Sequence, residues 1–274
     1  MPTTIGILTP QGLESASYQA DSLTEASRYE PSGIYTVTRT YNRFYVLKFD
    51  AHLDRLEESA RLENIPVHID RFTLRKAIRT LIERSGYDEC RFRITIPHQQ
   101  PDHFIITLEP FTGIPQTLKM HGVKVATVPI KRENPQAKDT TWIAKREAAK
   151  ANVPDAYEYI IVNEQGQLLE GFSSNFYAIL NQTLWTAPNE LVLGGISRQI
   201  VLEIAPSVLP IRLEPIVKNQ IKDISGAFLT SSSRGIIPIV QIDQDIIDNG
   251  KPNPTVQTLS ERYDQWVTSH LEHL

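Results

Sequence analysis

A two-domain α/β protein is what this sequence predicts, and three observations predict it. Its 274 residues exceed the roughly 100–200 of one ordinary domain. β-branched and aromatic runs alternate with helical apolar periodicity along most of the chain. One stretch with Gly, Pro and no periodicity, "TGIPQTLKMHG" (112–122), separates two such series. The expected division is an N-terminal α/β domain over 1–111, a linker over 112–122 and a C-terminal domain over 123–274.

The elements follow in order. "GIYTVTRTYNRFYVLKF" (33–49) reads as two strands around a polar Tyr-Asn-Arg break, an expected hairpin. "DAHLDRLEESARLENI" has helical apolar spacing at Leu53, Leu56 and Ala60. A second helix, "DRFTLRKAIRTLIERSG" (70–86), starts on Asp70 as a cap and stops at Gly86. "ECRFRITI" and "HFIITLEPF" are strands that close the N-terminal domain. Beyond the linker come the strand "VKVATVPI", the lysine-rich stretch "NPQAKDTTWIAKREAAKAN" (134–152), and the strands of "EYIIVNEQGQLLEGFSSNFYAIL", turning at Gln165-Gly166. A helix is expected from near Ser197, then strand, polar turn and strand in "GAFLTSSSRGIIPIVQI", and a closing amphipathic helix in "NPTVQTLSERYDQWVTSHLEHL".

Composition excludes several classes. A net charge of −4 with no lysine- or arginine-rich run gives no broad basic surface for nucleic acid. The single cysteine, Cys90, permits no intramolecular disulfide framework and reads as a small core or boundary residue. No basic n-region leads into an apolar one at the start, and no window approaches the roughly 20 apolar residues of a membrane span. A cytoplasmic protein with neither nucleic acid nor membrane as partner is expected.

Five places could carry chemistry. Lys145 and Lys150 lie inside an Ala-rich helical run, whereas Lys138 precedes Thr140 and Thr141, both plausible caps. A lysine at such a strand-to-helix junction can be desolvated into a Schiff-base amine. It can equally be a solvated loop charge. Glu170 is an acid in the apolar strand before "GFSSNF"; buried, it could keep a heterocyclic nitrogen protonated, and at a sheet edge it would simply meet water. "LGGISRQIV" sets two glycines before a helix beginning with Ile196 and Ser197, and "TSSSRG" stacks Ser232 and Ser233 in a turn. Both suit a phosphate, through backbone N–H groups and hydroxyls, and both suit an ordinary cap or turn. "CRFRITI" puts Arg91 and Arg93 on one strand face, opposite Phe92 and Ile94; they can face an anion or solvent. His98 and His103 have no third ligand, so no metal site is supported.

Together and in this order, "AHLDRLEESA", the "AK" of 137–138, "EGFSSNF", "LGGISR" and "TSSSRGIIP" resemble the pyridoxal-phosphate enzymes of fold type IV. These are the class-IV aminotransferases, branched-chain and D-amino acid aminotransferases among them, with aminodeoxychorismate lyase. The resemblance runs from about Gly33 to Pro238. It implies an N-terminal α/β sandwich, a C-terminal α/β pseudo-barrel, a cofactor in the interdomain cleft and a homodimer. Lys138 then resembles the Schiff-base lysine, Glu170 the partner of the pyridine nitrogen, and Arg55 of "HLDRL" the phosphate clamp. The Ile196 and Ser197 backbone with Ser232 and Ser233 would complete the phosphate cradle. Tyr35 and Arg39 of "GIYTVTR" fall where family members line the substrate pocket, as does Arg93.

The implied activity is transfer of an amino group between an amino acid and a 2-keto acid; a lyase on the same cofactor and a non-catalytic family member are the alternatives. Ile96 stands where D-amino acid aminotransferases carry a carboxylate-binding arginine, and Arg91 where branched-chain enzymes carry an aromatic residue. Three guanidinium groups at Arg39, Arg91 and Arg93, left unpaired, would favour a dianionic acceptor such as 2-oxoglutarate.

Overall fold

The computed structural model describes residues 2–151, 153 and 155–274. In chain order the elements are strands β1 (Thr4–Thr9) and β2 (Gly12–Ser15), helix α1 (Leu23–Ala26), strands β3 (Gly33–Arg39) and β4 (Tyr45–Leu47), helices α2 (Phe49–Leu62) and α3 (Arg71–Ser85), and strands β5 (Cys90–Pro97) and β6 (Phe104–Pro110). There follow α4 (Gln116–His121), β7 (Val123–Pro129), α5 (Thr141–Lys150), β8 (Glu158–Val162), β9 (Leu168–Gly171), β10 (Asn175–Leu180), β11 (Thr183–Trp185), α6 (Ile196–Ile204) and β12 (Ile211–Arg212). The chain closes with β13 (Gly226–Ser231), β14 (Gly235–Ile242), β15 (Asp245–Ile246), α7 (Pro254–Ser269) and β16 (Leu271–His273). The mixed α/β class is as expected.

The chain forms two compact units, the first of residues 1–113, 137–144 and 270–274, the second of 114–136 and 145–269. The stretch around Lys138 thus belongs with the first unit rather than with the sequence that surrounds it. Within 112–122, Gln116–His121 is helical and belongs to the second unit.

The first unit is built on an antiparallel sheet in the order β2-β1-β6-β5-β3. Helices α2 and α3 give the buried residues Phe49, Leu53, Leu56, Leu74, Ile78, Leu81 and Ile82 to the same core as Phe92, Ile94 and Ile106 of the sheet. Asp70 accepts the Thr73 N–H at 3.1 Å and Gly86 ends α3 at φ 70°, the left-handed conformation a helix stop uses. Cys90 is in this core, and burial pushes its thiol up to about 12. The expected hairpin at 33–49 does not pair as a ladder: β3 pairs β5, and β4 pairs the C-terminal β16. The Tyr-Asn-Arg break turns through left-handed Asn42 and Arg43 (φ 44° and 69°) and leaves only a bridge between Tyr41 and Tyr45.

The second unit holds a nine-stranded sheet whose main path is β12-β11-β10-β13-β14-β7-β8-β9. β7 runs parallel to both β14 and β8. The path returns on itself where β9 meets β10, closing a ring of six strands, β10-β13-β14-β7-β8-β9. That closure is made by one residue pair, Asn175 with Glu170. Its apolar core includes Val125, Ile160, Phe176, Leu229 and Ile239.

Candidate active site

In the first unit, candidate residues converge around the start of β3. Lys138 is held by its backbone from both sides: its C=O accepts the Tyr35 N–H at 2.8 Å and its N–H donates to Ser59 Oγ at 3.1 Å. Its Nζ lies 4.8 Å from the centre of the Tyr35 ring, a cation–π distance. Next along the chain, Asp139 forms a bridge with Ile34, and Thr140 exchanges hydrogen bonds with Gly33. Asp139, not a threonine, accepts the Trp142 N–H at 3.2 Å where α5 begins.

Arg55 lies on the face of α2 that also carries His52 and Ser59, spaced by three and four residues as a helix face requires. Its Nη2 donates to Thr36 Oγ1 at 3.0 Å, and its C=O accepts the Ser59 hydroxyl at 2.8 Å. Ser59 is therefore hydrogen-bonded to both Arg55 and Lys138. The other lysines near Lys138 in sequence are solvated: Lys131 and Lys145 face Glu133, and Lys150 pairs with Glu147 one turn away.

The sheet face with the other arginines differs from the expectation. Arg93 is 4% exposed, ion-paired to Glu30 at 2.5 Å and bonded to the Leu23 carbonyl at 2.9 Å. Glu30 in turn accepts the hydroxyls of Thr95 and Thr107. Arg91 pairs with Glu109 at 2.6 Å, and Arg39 with Glu89 at 3.2 Å while stacking on Tyr41 and Phe111. Three acids match three guanidinium groups, so the surplus of positive charge that favoured a dianionic acceptor is absent.

In the second unit, Glu170 on β9 is 3% exposed and engaged at both oxygens. Oε1 accepts Arg132 Nη1 at 2.8 Å and Oε2 accepts the Leu193 N–H at 3.0 Å. Asn175 Nδ2 donates to the Leu193 carbonyl at 2.9 Å. A Cβ on Gly195 would stand 2.1 Å from Asn175 Oδ1, whereas one on Gly194 would meet nothing within 4 Å. α6 then starts at Ile196 with no side-chain cap, and Ser197 Oγ accepts the Tyr263 hydroxyl at 2.8 Å. A cavity of about 450 Å³ lies against the Glu170–Arg132 pair, lined by Pro135, Asn163, Leu169 and Leu191 among others.

Ser232 and Ser233 sit in the turn between β13 and β14. Arg234 fastens that turn, donating from Nε to Ser231 Oγ at 2.9 Å and from Nη2 to Ser173 Oγ (2.9 Å) and Glu158 Oε2 (3.2 Å). Glu158 also accepts the Ser173 and Ser174 hydroxyls. Burial raises the Glu158 carboxyl, but Arg234 and the Ser173 hydroxyl together outweigh it and hold the group below the ordinary range. The serine turn of "EGFSSNF" and that of "TSSSRG" are thus tied through one buried ion pair.

The amino-transferase class IV family model matches residues 33–242. The chain belongs to this family. It is a pyridoxal-phosphate-dependent aminotransferase, the activity and cofactor that the resemblance implied. Among its relatives, the "Probable branched-chain-amino-acid aminotransferase" of Thermotoga maritima is 26% identical over 245 residues, 85% of this chain and 86% of the relative. The D-alanine aminotransferase of Listeria monocytogenes is 24% identical over 268 residues, 86% of this chain and 87% of the relative. The solved branched-chain aminotransferase of Thermoproteus uzoniensis, crystallised with norvaline, superposes with a TM-score of 0.79, covering 100% of this chain and 99% of its own at 22% identity, and so shares the fold.

The residues of this class-IV aminotransferase fit the cofactor. A phosphate needs cations and N–H donors: within the second unit the uncapped start of α6, with open space where a Gly194 side chain would stand, has backbone amides to offer, and within the first unit Arg55 carries a guanidinium bonded to Thr36. A cationic ring nitrogen needs a carboxylate, and Glu170 is buried as one half of an ion pair. Three participants escaped the sequence reading. Glu158 gives a signal like that of Glu170, a lone acid in an apolar strand, and Arg234 follows the serines in the quoted motif. Arg132 gives no signal beyond a charge beside Lys131. No helix among the described residues is long and apolar enough to cross a membrane, and no group of three or more His, Cys, Asp or Glu among them could hold a metal ion.

Proposed function

We propose that Lys138 is the amine that holds the cofactor, that Glu170 is the carboxylate for the pyridine nitrogen, and that Arg55, the Ile196 and Ser197 amides, and Ser232 and Ser233 receive the phosphate. The observation that carries this reading is the double backbone anchorage of Lys138, by Tyr35 and by the Ser59 hydroxyl that also holds Arg55. When bound, pyridoxal phosphate supplies an aldehyde carbon open to amines and a cationic ring that draws electron density from the substrate α-carbon. Lys138 Nζ would take the α-proton of the amino acid and pass it to the carbon that had been the cofactor's aldehyde, the general acid–base role of an amine held at the reacting carbon. Glu170, an acceptor-only carboxylate when ionised, holds the proton on the ring nitrogen.

Tyr35, Arg39, Arg91 and Arg93 line the substrate side in this reading, Tyr35 nearest the amine. With each arginine matched by its own acid, the pocket suits an amino acid whose side chain is uncharged, in keeping with the aliphatic substrates named for the two relatives. The working form is a cytoplasmic homodimer, with the bulk of 1–111 in one domain and the bulk of 123–274 in the other, and with 137–144 and 270–274 joining the first.

Borohydride reduction of the holoenzyme followed by peptide mapping labels Lys138; a label on Lys131 or Lys145 overturns the assignment. A donor panel of L-leucine, L-valine, D-alanine, L-glutamate and L-aspartate, read by cofactor absorbance in the half-reaction, gives the fastest conversion with an aliphatic member. Fastest conversion by a dicarboxylic donor refutes the uncharged-side-chain reading. Sedimentation equilibrium tests the dimer.

A further inference from the structure

Two buried side chains beside Arg55 have no part in the reading above. Thr36 and His52 are each 1% exposed, and Thr36 Oγ1 lies 2.9 Å from His52 Nδ1 and 3.0 Å from Arg55 Nη2. Chemistry fixes one end of this line. A guanidinium can only donate, so Thr36 Oγ1 accepts from Arg55. The same hydroxyl meets His52 Nδ1, donating to it when the imidazole proton is on Nε2 and accepting from it when that proton is on Nδ1. A neutral ring is what the surroundings favour: burial first, then the cations Arg55 and Lys138, hold His52 well below its ordinary pKa. Held by His52 on one side, the Thr36 oxygen offers Arg55 an acceptor at one place.

We propose that Thr36 and His52 are positioning residues that aim the Arg55 guanidinium at the cofactor phosphate, His52 acting only through Thr36. The proposal rests on Arg55 as a phosphate ligand. Its basis is a serial line of contacts: His52 bonds Thr36, Thr36 bonds Arg55, and all three lie in the first unit.

The test is equilibrium binding to the full-length apo-protein of two probes, pyridoxal 5'-phosphate and pyridoxal, which share ring and aldehyde and differ only in the phosphate. Thr36→Val keeps the shape and loses the hydroxyl; His52→Leu keeps much of the volume and loses the ring nitrogen. Each weakens pyridoxal 5'-phosphate binding by roughly tenfold, the scale of one hydrogen bond to a charged group, and leaves pyridoxal binding unchanged. Thr36→Ser restores the affinity. The double variant binds no more weakly than Thr36→Val alone, because a serial line is cut once. Equal weakening of both probes, additive losses in the double variant, or no weakening overturns the proposal; if His52→Leu does not fold, Thr36→Val and Thr36→Ser decide. Arg55→Ala separates the two claims. If it leaves the ratio of the two affinities unchanged, the phosphate role of Arg55 fails; if it collapses the ratio while Thr36→Val and His52→Leu preserve it, the positioning role alone fails.

Discussion

Replacing Gly195 by alanine tests the packing behind Glu170. Gly195 has φ −65° and ψ 142°, a conformation any residue adopts, so the substitution brings no backbone strain. It brings a methyl group 2.1 Å from Asn175 Oδ1, and the two must part by about an ångström to reach ordinary contact. Asn175 is buried and its amide holds the Leu193 carbonyl, while the Leu193 N–H holds Glu170. Overpacking costs about 1–3 kcal/mol and the lost hydrogen bond about 1 kcal/mol, so the variant loses roughly 2–4 kcal/mol. For a chain of this size that lowers Tm by about 5–15 °C. Gly194→Ala is the control, since its methyl meets nothing within 4 Å and the change stays within about 0.5 kcal/mol. Thermal melts of both variants, with cofactor retention after dialysis, give the comparison. Equal melting of the two, or wild-type melting of Gly195→Ala, refutes the close approach and the buried network drawn from it.

Arg93→Ala leaves Glu30 buried without its cation and destabilises by about 3–5 kcal/mol; an unchanged urea midpoint with altered substrate affinity would place Arg93 in the substrate pocket alone. His52 contributes to pH dependence with a definite sign. Its folded pKa is depressed below the ordinary 6.5, so below that pH only the unfolded chain takes up the proton. Its stabilisation is complete above 6.5 and is lost as pH falls towards the folded value, at up to about 1.4 kcal/mol per unit. Urea midpoints at pH 7.5, 6.0 and 5.0 therefore diverge less in His52→Asn than in wild type; parallel behaviour would mean that His52 titrates normally.

Local signals made much of the fold readable. Asp70 and Gly86 bound a helix through cap and left-handed stop, and Leu53, Leu56 and Ala60 mark the buried face of α2, because these effects act within a turn or two of chain. What escaped depends on distant partners. Nothing in "TYNRFYVLK" announces that its second strand pairs with the last residues of the chain, and the spacing of Arg91 and Arg93 gives their shared face but not Glu109 and Glu30, which neutralise them. At the candidate site the motifs named Lys138, Arg55 and Glu170, while their hydrogen-bond partners Thr36, Ser59 and Arg132 lie 19, 79 and 38 positions away from Arg55, Lys138 and Glu170 in turn, beyond what local spacing reports.

The strand ring of the second unit joins β9 to β10 through one ladder pair, Glu170 with Asn175, beside a three-residue turn in which the Gly171 N–H donates to the Ser174 carbonyl at 2.8 Å, whereas its β13–β14 and β7–β8 ladders each have five paired residues. This join has the fewest ladder pairs in the ring, and amide exchange of its residues reports how readily it loosens. If the cofactor docks on Glu170, it docks on this join, so binding and tightening of the join are coupled. Ligand at a hundred times its dissociation constant then adds about 2.7 kcal/mol to the folded form, and amide exchange at Glu170 and Asn175 slows with it.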